Sequence, residues 1–167
     1  MRECTSNEYL DAAVPGSVYQ DLMAAGRMGD PFYRDNEKEA LEVISHDYEY
    51  QVRFDAPGEL LRCQEILLHF DGIDTLSSIT LNGKELGKTD NMHRIWEYQV
   101  KESLKEFGNE LTVVLYSPTE FIEKSYREDP IEGCIDAMRG LSRLRKGTAC
   151  LAGIGARGFR TQGYSGR

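Results

Sequence analysis

The stretch "SITLNGKELG", Ser78–Gly87, limits what this chain can fold into more than any other part of it. Asn82-Gly83 stands between the apolar pair Ile79/Leu81 and Leu86. A two-residue hairpin of type I′ needs positive φ at both central positions, and Asn-Gly adopts that with the least steric cost. One strand therefore ends near Leu81 and its antiparallel partner begins near Lys84. Other segments carry the same β signature. Tyr48, Tyr50, Val52 and Phe54 alternate with polar residues. "EILLHF" (Glu65–Phe70), "IWEYQV" (Ile95–Val100) and "ELTVVLYS" (Glu110–Ser117) are short β-rich runs, and "APGE" (Ala56–Glu59) is a turn.

Helical signals are few. "VPGSVYQDLMAAG" predicts a short helix, with Pro15 in its first turn, Val18, Leu22 and Ala25 on one face and Gly26 as its stop. "DPFYRDNE" reads as a loop carrying two aromatics, and Ser103–Phe107 as a short helical turn. Beyond Pro118, "TEFIEKSYRED" and "IDAMRGLSRLRK" are weakly helical. Short strands joined by tight turns, without regular α/β alternation, predict a mainly β domain: an antiparallel sandwich with a short N-terminal helix and a weakly helical C-terminal segment. A chain of 167 residues suits one domain with a real core.

Charge is unevenly spread. Seven basic residues and no acid lie from Ala137 onward. Removing them from the net charge of −8 leaves −15 on the preceding residues, a body that repels phosphate backbones. The Arg/Gly-rich end, "CLAGIGARGFRTQGYSGR", invites a reading as a nucleic-acid adaptor; the acidic body opposes it, and neither a nucleic-acid nor a membrane partner is expected. No apolar run approaches the roughly 18 residues of a spanning helix. The first residues, Met1 to Val14, lack an apolar h-region after a basic start, which predicts a cytoplasmic protein. Cys4, Cys63, Cys134 and Cys150 are far apart and form no CxxC pair; free thiols are expected. His46, His69 and His93 are equally scattered, and neither a metal nor a cofactor is expected. No Gly-rich phosphate loop, HExxH, GxSxG or calcium-loop motif occurs.

Four phrases, "VPGSVYQDLMAAG", "DPFYRDNE", "FDGIDTLSSITLNGKELGKTDNMHR" and "MRGLSRLRK", resemble the N-terminal domain of family 2 glycoside hydrolases, nearest to the β-mannosidase branch. The resemblance covers about Ala13 to Lys146 and is most specific from Phe70 to Arg94. It implies a galactose-binding-domain-like jelly roll, often called the sugar-binding domain, packed beside an immunoglobulin-like domain and a (β/α)₈ barrel. In that family the barrel carries the acid/base and nucleophile glutamates of a retaining mechanism. No residue of this chain takes either role.

What the resemblance assigns to this domain is a rim of the site. In the related β-galactosidases an Asn in the loop matching "TDNM" reaches over to the substrate-binding end of the barrel, and the resemblance places Asn91 there. An amide both donates to and accepts from sugar hydroxyls; equally, Asn91 can serve only to turn the chain between two strands. The substrate-facing set implied is Asn91 with Asp90, Met92, Arg94 and Asn36. For Asp30, Tyr33, Asn36 and Arg94, loop structure is the competing role. Trp96 is either a sugar-stacking platform or a core or interface residue, and His69 and His93 receive no role. The function implied is that of a non-catalytic domain of a β-mannosidase-like hydrolase, inactive alone; a stand-alone carbohydrate-binding module is the alternative.

After "RLRK" (Arg143–Lys146), the family typically continues "AHCMFGWDWGPRLPDAGI", whereas this chain reads "GTACLAGIGARGFRTQGY". The genetic code lets one nucleotide stretch encode both in neighbouring frames, Trp-Asp-Trp included. The expectation is therefore a domain over 1–146 and a disordered, out-of-frame tail over 147–167. The codon of the family's sugar-contacting Asp would be split between Gly153 and Ile154.

Overall fold

The structure is a computed structural model that describes residues 1–130, Leu144 and the backbone of 155–164. The Asn-Gly hairpin forms as its chemistry demands. Strand β5 (Leu76–Leu81) turns at Asn82, φ 53°, and Gly83, φ 81°, into β6 (Lys84–Asp90). The β5/β6 ladder shifts register between Ile79 and Thr80, where Leu86 is left opposite no partner.

The Asn82 side chain does more than turn the chain. Its Nδ2 donates to the Ser103 carbonyl at 2.6 Å and to Asn109 Oδ1 at 3.0 Å, while its Oδ1 accepts from the Glu110 amide at 2.9 Å. Asn109, fully buried, accepts the Lys105 amide at 2.8 Å and donates to the Lys105 carbonyl at 2.7 Å. This double-amide knot ties the hairpin tip to the start of β8 (Asn109–Leu115). The expected helical turn is not seen: Ser103–Phe107 forms no helix, and both backbone groups of Lys105 are bonded to the Asn109 side chain.

Two antiparallel sheets pack face to face. In the first, β1 (Arg2–Glu3), β3 (Tyr48–Phe54), β8, β5 and β6 lie side by side in that order. In the second the order is β2 (Gly16–Ser17), β9 (Gly155–Tyr164), β4 (Glu65–Ile73) and β7 (Trp96–Gln99). Period-two alternation points Ile66, Leu68 and Phe70 of β4 toward Ile79, Leu81, Leu111, Val113 and Leu115 of the first sheet, and these form one core with Tyr48 and Val100. The expected mainly β sandwich is what is seen.

The helical regions differ in detail. Helix α1 (Val18–Ala24) starts after Ser17, whose hydroxyl accepts the Gln20 amide, so Pro15 precedes the helix instead of opening it. Val18 and Leu22 face inward as expected, but Ala25 is the exposed C-cap. Buried Asp21 pins α1 down by accepting from the Tyr50 hydroxyl at 2.8 Å and the Ala13 amide at 3.0 Å. Helix α2 (Glu37–Val43) is one that the sequence reading passed over; Ala40 and Ile44 pack on Tyr19 and Met28. "APGE" leads into a single helical turn, α3 (Gly58–Leu61), and "TEFIEKSYRED" falls in α4 (Pro118–Glu128). "IDAMRGLSRLRK" lies outside the described residues except for Leu144, which is buried.

Where disorder was expected, residues 155–164 form β9. Its backbone pairs with β4 from Glu65↔Tyr164 to Ile73↔Ala156, and with β2 at Gly16↔Ala156. Without it, nine residues of β4 would present an open row of backbone donors and acceptors, and any extended segment can satisfy them through groups every residue carries. Cys4 and Cys63 are free thiols, and Cys134 and Cys150 lie outside the described residues.

Removing the buried knot has a definite expected cost. Asn109→Ala deletes three hydrogen bonds and empties a fully buried position, so urea denaturation is expected to show a loss of about 2–4 kcal/mol.

Candidate functional site

The sandwich crosses from sheet to sheet twice at one corner. The Asp74-Thr75 turn carries the chain from β4 to β5, and residues 91–95 carry it from β6 to β7. The two crossings are adjacent because Leu76 pairs with Asp90 and Ser77 with Thr89. A buried hydroxyl chain joins them: Thr89 Oγ1 donates to the Thr75 carbonyl at 2.9 Å and lies 2.8 Å from Ser77 Oγ. The Thr75 hydroxyl donates to the Asp74 carboxylate, and all four side chains are buried. Asp90 and Asn91 follow directly from this rigid base.

Four of the five residues expected at the site sit together on this corner. Asp90 is exposed and ends the β6 ladder. Asn91 is half-buried; its Oδ1 accepts the His93 amide at 2.9 Å, an Asx turn, and its carbonyl accepts the indole N–H of Trp96 at 3.2 Å. The Asn91 Nδ2 makes no hydrogen bond among the described residues, so an amide with two free donors stands in the loop. Met92 is half-buried, and its carbonyl lies 3.0 Å from where a Cβ on Gly72 would stand. Arg94 is exposed and sets its guanidinium 4.5 Å from the centre of the Trp96 ring.

Asn36 is not part of this corner. It lies in the loop between α1 and α2, where its Nδ2 donates to the Asp30 carbonyl at 2.8 Å. Asp30 Oδ1 accepts the Phe32 amide at 2.9 Å, and Arg34, at φ 53°, lays its guanidinium on the Tyr33 ring. Asp30, Tyr33 and Asn36 thus make their side-chain contacts within their own loop. The same loop holds Phe32 95% exposed.

Two supporting residues escaped the sequence reading in that role. Gly72 interrupts a β-rich strand, a signal of close backbone approach, and what approaches is the Met92 carbonyl. Trp96, expected as either a sugar-stacking platform or a core or interface residue, carries Arg94 on one face of its ring and donates its N–H to Asn91.

The outer face of the second sheet holds a different cluster. His69 Nδ1 lies 3.0 Å from Glu97 Oε1, its cross-strand partner, and Nε2 lies 3.0 Å from Asp71 Oδ1. The bond to Glu97, then that to Asp71, hold the imidazole above its ordinary 6.5. No group of three or more His, Cys, Asp or Glu able to hold a metal ion exists among the described residues. No helix among them is long and apolar enough to cross a membrane.

Fold and corner together define a class: a jelly-roll β-sandwich of the galactose-binding-like kind. The chain belongs to the glycosyl hydrolase 2 galactose-binding domain-like family, whose pattern matches residues 1–152. It is 32% identical to the β-mannosidase of Mus musculus over 127 residues, which make up 72% of this chain and 14% of that protein. It is 31% identical to β-mannosidase B of Neosartorya fischeri over 119 residues, 70% of this chain and 14% of that one. Among solved structures it superimposes on β-D-mannosidase from Dictyoglomus thermophilum with a TM-score of 0.92 at 35% identity, covering 98% of this chain and 21% of that one. The chain thus spans about one-seventh of these curated relatives.

His69 gives a pH prediction with a fixed sign. A histidine raised in the folded state adds stability that is complete below its unfolded value and fades as pH rises through the folded one. His69→Gln should therefore cost more stability at about pH 6 than at about pH 8. The NMR titration midpoint of His69 should lie above the ordinary 6.5.

Proposed function

We propose that this domain supplies one wall of a β-mannoside-binding site in a family 2 glycoside hydrolase, and that Asn91 is the residue presenting it. The observation that carries this reading is the division of labour within the Asn91 amide. Its oxygen is occupied by the loop, and its NH₂ is left to donate to a sugar hydroxyl. The similarity to β-mannosidases of several organisms supports the choice of sugar. Asp90 and Met92 flank the amide. Arg94, held on Trp96, adds a cation at the rim. The remaining domains of such an enzyme close the pocket and carry the glutamate pair. One wall alone makes few contacts, so the domain by itself is a weak binder and not a catalyst.

Titration of the chain with methyl β-D-mannoside, followed at the Asn91 side-chain amide, tests this. Shifts confined to 90–94 with a Kd of about 1 mM or weaker are expected. Asn91→Asp retains an acceptor for the His93 amide but loses the donor pair, and should lose binding without losing the fold. Absence of any Asn91 response up to about 0.1 M sugar sinks the reading. The chain alone should also release no aglycone from an aryl β-mannoside, and copurifying turnover would contradict that.

We further propose that residues 147–167 are read out of the family's frame. What supports this is the departure of "GTACLAGIGARGFRTQGY" from the family's usual continuation after Lys146, together with the two-frame reading that joins them. Strand pairing through backbone groups is compatible with either origin of β9. The DNA from the Lys146 codon onward should encode a Trp-Asp-Trp in the neighbouring frame; a reading without it refutes the slip.

A further inference from the structure

We propose that Trp96 is a positioning residue for the Asn91 amide, acting through its indole N–H, and that Gly72 is shaped to allow it. This rests on the reading of Asn91 given above and deepens it.

An amide that is to meet a ligand needs a backbone held still behind it. Within 90–94 the Asx turn from Asn91 Oδ1 to the His93 amide is local and moves with the loop. Asn91 sits in a β-bridge, and its carbonyl is tied further to the body of the domain by accepting the Trp96 N–H at 3.2 Å. Trp96 is itself fixed, because it opens β7 and pairs with Phe70 in the middle of β4. The line of support therefore runs from the β4/β7 ladder through the indole to the Asn91 carbonyl.

The surroundings make that bond the purpose of the indole. An indole has one donor and no acceptor, so the bond to Asn91 uses its whole capacity. Arg94 covers a ring face at 4.5 Å, which takes that face from any sugar. On the other side of the loop the Met92 carbonyl comes so near Gly72 that a Cβ there would stand 3.0 Å away, tighter than side chains ordinarily allow. The loop is thus held at Asn91 by attraction and seated at Met92 against a gap left by a missing side chain.

Amide hydrogen exchange on the full chain tests the arrangement. Trp96 is the sole tryptophan, so its indole N–H is a single unambiguous signal. In the unmodified chain that proton should exchange about fivefold or more slowly than free indole; exchange at the free rate overturns the proposal without any variant. Trp96→Phe keeps an aromatic ring for Arg94 and removes the N–H together with the five-membered ring that bears it. It should speed His93 amide exchange about five- to tenfold while the β5/β8 ladder stays as protected as before. It should also weaken methyl β-D-mannoside binding by a similar factor. Unchanged His93 exchange overturns the proposal, and so does faster exchange with unchanged mannoside affinity, which would make Trp96 merely structural. Gly72→Ala should displace the same 90–94 signals and leave those of the α1–α2 loop alone. If the unmodified chain shows no mannoside response, the reading of Asn91 falls. The hold of Trp96 on the Asn91 backbone is then decided by the exchange data alone.

Discussion

The Asn82–Asn109 knot is the constraint on which the rest of this sandwich depends. A β-hairpin can slip by one residue, and such a slip turns every inward side chain outward. Here the turn residue grips the neighbouring strand through both ends of its amide, and the gripped residue is itself fully buried. The hairpin is therefore registered against β6 and β8 at once. Everything downstream inherits that register: the bulge at Ile79/Thr80, the Ser77–Thr89 hydroxyl contact, and the point at which β6 gives out at Asp90.

The candidate site follows by geometry from where that ladder ends. Leu76↔Asp90 is the last pair, and both chains then leave for the other sheet. Two crossings side by side make a corner in which backbone is dense, side chains are polar and no regular ladder supplies partners. The buried Asp74, Thr75, Ser77 and Thr89 bond one another beneath it. Above them Asn91, Arg94 and Trp96 form a second layer whose bonds run from indole to carbonyl and from guanidinium to ring. A corner of this construction holds a few polar atoms in fixed positions, which a rim of a sugar pocket requires.

Much of this was legible in the residues. Asn82-Gly83, the alternation of Tyr48 to Phe54 and the run Glu65–Phe70 encode their conformations locally, so the strands and the hairpin could be read directly. Asn91 was reachable only through resemblance, because an Asn in a turn looks the same whether or not a ligand is present. The role of Trp96 and of Gly72 was not legible, since both depend on β4 and β7 meeting across a loop, a non-local fact. Helix α2 was passed over because its stabilising face meets Tyr19 and Met28 rather than the main core, and seven residues give too short a period to stand out. Only family likeness points to Asn36, whose amide donates to the Asp30 carbonyl in its own loop. The strand at 155–164 had no local signal strong enough to outweigh its glycines; the open edge of β4 decides its place.

The stacking of Arg94 on Trp96 has an optical consequence. The chain owns a single indole, and it lies beneath a cation and beside the one loop of interest. Its ultraviolet emission therefore reports on that corner alone, free of background from other tryptophans. Lifting the guanidinium away or breaking the N–H bond changes the polarity around the excited ring and shifts its colour, so the domain carries its own unlabelled lamp at the place where a ligand would arrive.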